Sequence, residues 1–170
     1  MQINKNIYLL ILLLGLFVQG CKVTYSFTGA SISPETKTFS VQYFPNRANI
    51  VVPTLSQQLT DALRQKFQSQ TSLKLVQGMG DVDFDGQITG YETRPEAIQA
   101  NETAALNRLT INIRVKYTNT VDPDKSFDKT FSRFETYPST EDITSVQGDL
   151  IKKILDQLTD DVFNAAFVNW

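Results

Sequence analysis

The sequence predicts an α+β domain in which two helices pack on one face of a roughly four-stranded mixed sheet, in the order β-α-β-β-β-α. One helical pattern follows the first strand-like segment, alternating segments fill the middle of the chain, and a longer helical pattern closes it. A right-handed crossover makes the first two strands parallel if they are neighbours. The sheet face opposite the helices is then either a polar surface or a partner's binding face.

The first two elements are a strand and a helix. Residues 38–44 alternate apolar and polar side chains over a strand's length, and Pro45-Asn46 ends the run. Thr54-Leu55-Ser56-Gln57 then matches a capping box, in which the side chains of Thr54 and Gln57 bind backbone amides at the start of a helix. The apolar residues that follow share one helix face: Leu55, Leu59, Ala62, Leu63 and Phe67.

The second strand is predicted to be either long or broken. A short apolar run at 73–76 is interrupted by Gly78-Met79-Gly80, and a two-residue period begins at Val82. Residues 105–118 give the clearest alternation in the chain. That alternation predicts a third strand with one buried side and one side that faces water.

A last strand and a long helix complete the domain. Phe127, Phe131 and Phe134 follow a turn. In a regular strand Phe127 and Phe131 fall on one side and Phe134 on the other, and this change of side predicts a bulge or the end of the strand. Residues 140–167 form one amphipathic pattern of 28 residues. Such a helix is about 42 Å long at 1.5 Å per residue, so one end is expected to project beyond a small sheet.

The N-terminus has the layout of an export signal. Residues 7–18 are all apolar or glycine, a run that suits a signal peptide and is too short for a permanent membrane span. Val18-Gln19-Gly20-Cys21 resembles the lipobox of bacterial lipoproteins, so we expect a signal peptide at 1–20 and lipid on Cys21. Residues 21–37 then form a lipidated tether and 38–170 a single periplasmic domain. The alternative is an incidental thiol after an ordinary signal.

Composition excludes several classes of function. The mature chain would carry 15 basic and 18 acidic side chains, a balance that does not favour nucleic acid. The chain has no histidine and one cysteine, so the commonest general base and metal ligand are missing. We therefore expect no catalysis, no cofactor and no metal. An enzyme would need Ser-Lys or paired-carboxylate chemistry, and no Gly-x-Ser-x-Gly motif is present.

Several stretches together resemble the LptE family of lipopolysaccharide-assembly lipoproteins. Besides the lipobox, they are residues 26–31, 41–47, 102–111 and 167–170, of which 41–47 and 102–111 are the most specific. The resemblance implies an outer-membrane lipoprotein on the periplasmic side, acting as plug and scaffold for a large LptD-like β-barrel that delivers lipopolysaccharide to the cell surface. Lys22 after the cysteine resembles the outer-membrane sorting pattern. The alternative is a ligand-binding or auxiliary lipoprotein of another envelope transport system.

Basic residues near strand ends are the candidate lipopolysaccharide contacts, because guanidinium groups match phosphate geometry. They are Arg94, Arg108, Arg114 and Lys116. The alternative is that these residues lie on a solvated sheet face, which is the usual place for charges on a strand. Asp81, Asp83 and Asp85 could imitate a calcium site, but they lack the spacing of a calcium-binding loop. A solvent-facing acidic edge strand is the favoured interpretation of these three acids.

Overall fold

A five-stranded sheet with two helices on one face forms the described part of the chain, residues 32–96 and 105–168 of a computed structural model. The predicted signal peptide, Cys21 and the stretches 26–31 and 102–104 lie outside the described residues. The strands are β1 (Thr38–Val41), β2 (Lys74–Leu75), β3 (Val82–Pro95), β4 (Leu106–Asn119) and β5 (Phe127–Pro138). The helices are α1 (Leu55–Gln70) and α2 (Ile143–Phe167), and a short 3₁₀ helix spans Pro123–Lys125.

The sheet is mixed, with the strand order β2-β1-β3-β4-β5. β1 runs parallel to both β2 and β3, whereas β3, β4 and β5 are antiparallel neighbours. The predicted α+β class and the parallel pairing after α1 are confirmed. Neither helix of the described residues has the length and apolar character that crossing a membrane requires.

The predicted number of strands is wrong by one, because the second strand is two strands. The chain turns away from the sheet after Leu75 at Gly78, whose φ of +90° suits glycine. It returns at Gly80, where a Cβ atom would lie only 2.9 Å from backbone atoms of Phe39. The element order is therefore β-α-β-β-β-β-α, and both β2 and β3 pair with β1.

The start of α1 differs from the predicted capping box. Thr54 already has helical dihedral angles, φ −87° and ψ −14°, and its hydroxyl accepts a hydrogen bond from the Gln58 side chain at 3.2 Å. The Gln57 amide donates instead to Asp61 at 2.8 Å. The predicted apolar face is buried except for Ala62, which is half-buried.

The predicted interruption of β5 is also wrong. β5 pairs with β4 from Phe127 to Pro138 without a register shift. Phe134 differs from Phe127 and Phe131 because it lies on the sheet face opposite the helices. There the Arg108 guanidinium carbon is 3.9 Å from its ring centroid. The irregularity of the sheet lies instead in β3, between Ile88 and Gly90.

The closing helix begins three residues later than predicted. Asp142 is its N-cap, and one carboxylate oxygen accepts hydrogen bonds from the backbone amide and the hydroxyl of Thr144 at 2.8 and 2.6 Å. These hydrogen bonds from Thr144 lower the pKa of Asp142. The first buried residue of α2 is Leu150, so its N-terminal turns are the less buried end, as the predicted length implied.

Gly148 offers a stabilising substitution in an exposed part of α2. A Cβ atom at this position would have no neighbour within 4 Å. Gly148→Ala is therefore expected to raise the free energy of unfolding by about 0.5–1 kcal/mol, because alanine loses less backbone entropy in a helix. Urea unfolding measures the change. Gly78→Ala is the control: its site is equally open, but the positive φ predicts a loss of stability, and a gain there would contradict the explanation.

Candidate functional site: the open face of the sheet

The side of the sheet that faces away from α1 and α2 carries the candidate contact residues, and we call it the open face. Strand pairing places on it alternate residues of β3, β4 and β5, opposite to those that form the core. All four basic residues singled out in the sequence lie on this face: Arg94, Arg108, Arg114 and Lys116. The prediction that one side of β4 is buried and one polar is confirmed.

Arg94 and Arg108 lie directly opposite one another across the β3–β4 ladder, at the end next to residues 97–104. Arg94 pairs with Glu92 at 2.7 Å, and its side chain remains 76% exposed. Arg108 pairs with Glu96 and stacks on Phe134. Arg94 therefore keeps donors available to a ligand, whereas much of Arg108 is already engaged.

Arg114 and Lys116 form a second basic pair on the same strand. Arg114 binds both carboxylate oxygens of Asp128 at 2.8 and 2.7 Å. Lys116 lies opposite Asp85 on β3 and Asp128 on β5. From Arg108 to Lys116 the strand advances about 26 Å at 3.3 Å per residue. The structure thus groups the four residues into two separate pairs, which cannot bind one phosphate together.

The ion pair between Arg114 on β4 and Asp128 on β5 has a measurable signature. The hydrogen bond from Arg114 and its positive charge, with a further contribution from Lys116, lower the pKa of Asp128 below its ordinary 3.8. The stabilising contribution of this carboxylate is therefore complete above that ordinary value and is lost as the pH falls through the lowered pKa.

Arg114→Gln is expected to return the pKa of Asp128 toward 3.8, as measured by carboxyl-carbon NMR during a pH titration. Asp142 serves as an internal control, because its low pKa comes from Thr144 and not from Arg114. An unchanged Asp128 in the variant would show that the Arg114 contact does not hold the carboxylate ionised.

Asp81, which precedes β3, and Asp83 and Asp85 within it do not form an acidic edge strand. β3 is an interior strand that lies between β1 and β4. Asp81 accepts hydrogen bonds from the backbone amides of Lys37 and Thr38 at 2.8 and 2.9 Å. Asp83 is buried and accepts hydrogen bonds from Ser40 and Gln42. These roles could not be predicted from the sequence, because all four donors are more than forty residues distant along the chain. Nowhere in the described residues do three His, Cys, Asp or Glu side chains lie close enough to hold a metal ion.

A cleft of about 370 Å³ lies at the other edge of the sheet, where β2 stops pairing with β1. Of the described residues that line it, Arg64 alone is charged, and it donates a hydrogen bond to the Val41 carbonyl at 2.9 Å. Tyr43 at its rim is 55% exposed. General acid–base or nucleophilic chemistry needs paired groups, and this lining does not supply them.

The fold is shared with solved bacterial proteins. An uncharacterized lipoprotein B from Nitrosomonas europaea is 10% identical, with a TM-score of 0.53 over 84% of this chain and 87% of that one. A hypothetical protein from Chlamydia trachomatis is 7% identical, with a TM-score of 0.50 over 77% and 98%. The rare lipoprotein B from Shewanella oneidensis is 10% identical, with a TM-score of 0.46 over 74% and 92%. At these identities the first two likenesses, with TM-scores of 0.53 and 0.50, show the fold alone.

Sequence comparison identifies the family. The comparison with curated proteins gave no match. The sequence profile of the LptE family, described as lipopolysaccharide-assembly, matches residues 36–166. That match runs from the residues just before β1 to the last turn of α2, and it includes the open face. The chain therefore belongs to the LptE family of lipopolysaccharide-assembly proteins, as the resemblance of its motifs predicted.

Proposed function

We propose that this protein is a non-catalytic lipoprotein, anchored by lipid on Cys21 to the periplasmic side of the outer membrane. There it acts as plug and scaffold for an LptD-like β-barrel that translocates lipopolysaccharide, and it assists insertion of lipopolysaccharide at the cell surface. The family match over residues 36–166 carries the proposal. It covers nearly the whole described domain, so the function would belong to this domain as a unit.

The structure supports a scaffold role through the contrast between its two sheet faces. Both helices pack on one face through a continuous apolar core. This core includes the fully buried Phe39 and Phe84 of the sheet and Phe67 of α1. The open face is built from the two longest strands and β5, and it presents alternating charges of both signs. Mixed charge on a rigid surface suits a wet, polar protein interface, in which electrostatic complementarity sets orientation.

The partner can be identified by a pull-down of the tagged full-length protein from detergent-solubilised outer membranes, followed by mass spectrometry. We expect a large β-barrel to be recovered in near-stoichiometric amount. Recovery of the protein alone, or with an inner-membrane transporter, would instead favour an auxiliary or ligand-binding lipoprotein of another envelope transport system. Arg94→Glu on the open face and Asp61→Lys on the outer surface of α1 form a matched pair of charge variants. Only the open-face variant should reduce recovery of the barrel.

The lipid anchor is tested separately. Cys21→Ala is expected to abolish incorporation of labelled fatty acid and to move the protein from the membrane fraction to the soluble fraction, because the acyl chains supply the membrane affinity. The variant retains all residues of the described domain, so its circular dichroism spectrum should not change. Unchanged incorporation of labelled fatty acid by the variant would contradict lipidation at Cys21.

Direct contact with lipopolysaccharide phosphates is proposed for Arg94, Arg108, Arg114 and Lys116. The ion pairs rank these four residues. Arg94→Gln and Lys116→Gln should weaken binding of purified lipopolysaccharide about tenfold each, since a charge-assisted hydrogen bond contributes about 1.5 kcal/mol. Arg114→Gln should have a smaller effect, because Asp128 already occupies its guanidinium fork. Equal losses in all three variants would contradict this ranking and indicate nonspecific charge attraction.

A further inference from the structure

The cleft beside Arg64 exposes a part of the β1 edge that no strand of the described residues covers. β2 pairs with β1 only at Thr38 and Phe39, and the Val76 amide then donates to the Phe39 carbonyl at 2.9 Å. The chain leaves the sheet at Gly78. The cleft of about 370 Å³ opens at this point, and we call it the β1 cleft. A strand edge that ends in such a cleft is a candidate site for a short extended ligand.

The hydrogen bonds on the two sides of β1 show which backbone groups face the β1 cleft. The Gln42 amide donates to the Phe84 carbonyl of β3 at 2.9 Å, whereas the Phe39 carbonyl accepts from the β2 side. Successive residues of a strand direct their N–H and C=O groups to opposite sides, so Val41 and Tyr43 share the side of Phe39. Within the described residues the amides of Val41 and Tyr43 have no hydrogen-bond acceptor. They are two available donors along the cleft.

Arg64 of α1 adds further donors at the same point. Its Nη2 donates to the Val41 carbonyl at 2.9 Å, which holds the guanidinium at the cleft. Its Nε is buried and donates to no atom of the described residues. Its Nη1 lies 3.8 Å from an Asp61 carboxylate oxygen, which is too far for a hydrogen bond. A guanidinium carries five donors, so most of those on Arg64 have no acceptor within the described part of the chain.

We propose that the β1 cleft binds the end of an extended peptide through its C-terminal carboxylate. The groups that remain available at Val41 are donors, because its carbonyl already accepts from Arg64. A continuing strand would present a donor and an acceptor at this position, whereas a carboxylate presents acceptors alone. One carboxylate oxygen accepts from the Val41 amide and the other from Arg64, since guanidinium groups match carboxylate geometry.

The rest of the peptide runs antiparallel to β1, from Tyr43 toward Val41. The two amides are separated by two residues, about 7 Å along the strand, which is the spacing at which an extended peptide offers its next carbonyl. The opposite wall of the cleft includes Leu75, which is apolar and 38% exposed, and Val76. Apolar side chains of the peptide therefore cover apolar surface that water now contacts. The cleft volume is near the lower end for ligand pockets, which suits a short peptide end.

The carboxylate is tested with the peptide acetyl-Val-Thr-Val, added to the isotope-labelled full-length chain in a nonionic detergent. Backbone amide NMR should show the largest shifts at Val41 and Tyr43 when the peptide acid binds. The C-terminal amide of the same peptide should bind about tenfold more weakly, because it lacks the charge. Acetate should bind at least as weakly, because it makes no strand contact with Tyr43. Equal binding of acid and amide, equal binding of peptide and acetate, or shifts confined to the open face would overturn the inference.

Two charge variants of α1 test the role of Arg64. Arg64→Gln should weaken binding of the peptide acid about tenfold and leave binding of the peptide amide unchanged. Asp61→Asn should strengthen binding of the acid severalfold, because it removes a negative charge next to Arg64, and this gain keeps the test decisive if Arg64→Gln folds poorly. Arg94→Gln removes the same side chain from the open face and should have no effect. Unchanged affinity in both α1 variants, or an equal loss in Arg94→Gln, would overturn the inference, which does not depend on the proposed function.

Discussion

Phe67→Ala is expected to lower the free energy of unfolding by about 3–5 kcal/mol, the usual cost of removing a fully buried phenylalanine. Phe67 lies on α1 and has no solvent exposure. Its ring centroid is 4.3 Å from that of Phe84 on β3 and 5.7 Å from that of Phe167 on α2. The same ring contacts Phe39 on β1. The substitution therefore leaves a cavity where both helices meet the sheet, and urea unfolding measures its cost.

Phe134→Ala is the matched control for that loss, because it removes the same side chain from the open face. Phe134 is 46% exposed and has the Arg108 guanidinium over its ring. Its removal should cost about 1 kcal/mol or less, the value of an exposed cation–π contact. Similar losses in the two variants would show that the aromatic cluster does not dominate the stability of the domain.

The elements with a strong hydrophobic period could be predicted from the sequence. The alternation at 105–118 places Ile111, Ile113 and Val115 in the core, and all three are fully buried in β4. The periodic helices are likewise confirmed, with bounds that differ by one to three residues. In these segments burial on one face decides the local structure, and burial is what the pattern reports.

The features that the sequence could not predict depend on long-range contacts. The division into β2 and β3 follows from the approach of Gly80 to the Phe39 backbone, a contact between residues distant along the chain. Phe134 can lie on the sheet face opposite to that of Phe127 and Phe131 because a cation on the neighbouring strand covers its ring. Short-range rules do not contain these partners. The capping box failed for a local reason instead: the Gln57 side chain donates to Asp61, four residues ahead on the same helix.

The candidate site was predictable as a face but not as a set of contacts. Alternation along β4 placed Arg108, Arg114 and Lys116 on one side, and the structure has them there. The sequence did not indicate that Asp128 holds Arg114 or that Glu96 holds Arg108. Because ion pairs occupy part of this basic surface, the accessible positive charge is concentrated on Arg94 and Lys116. Lipopolysaccharide contact through these residues stays a prediction.

Gly86→Ala is expected to lower the free energy of unfolding by about 3 kcal/mol, because overpacking against backbone cannot be relieved by a rotamer change. A Cβ atom at Gly86 would overlap the Arg114 carbonyl oxygen on β4 and lie 2.6 Å from a ring carbon of Phe44, which is fully buried. To accept alanine, β3 and β4 must separate locally. Hydrogen exchange should then show lost protection on both strands, next to the open-face residue Arg114.

Gly90→Ala separates this backbone clash from a general cost of alanine in β3. A Cβ atom at Gly90 would meet the side-chain amide nitrogen of Asn112 at 2.5 Å. That amide can rotate away, so the expected loss is about 1 kcal/mol. If Gly90→Ala costs as much as Gly86→Ala, close backbone approach is not what requires glycine at position 86. If the order holds, tight contact between β3 and β4 positions Arg114 on the open face, and core packing and the candidate site depend on the same glycine.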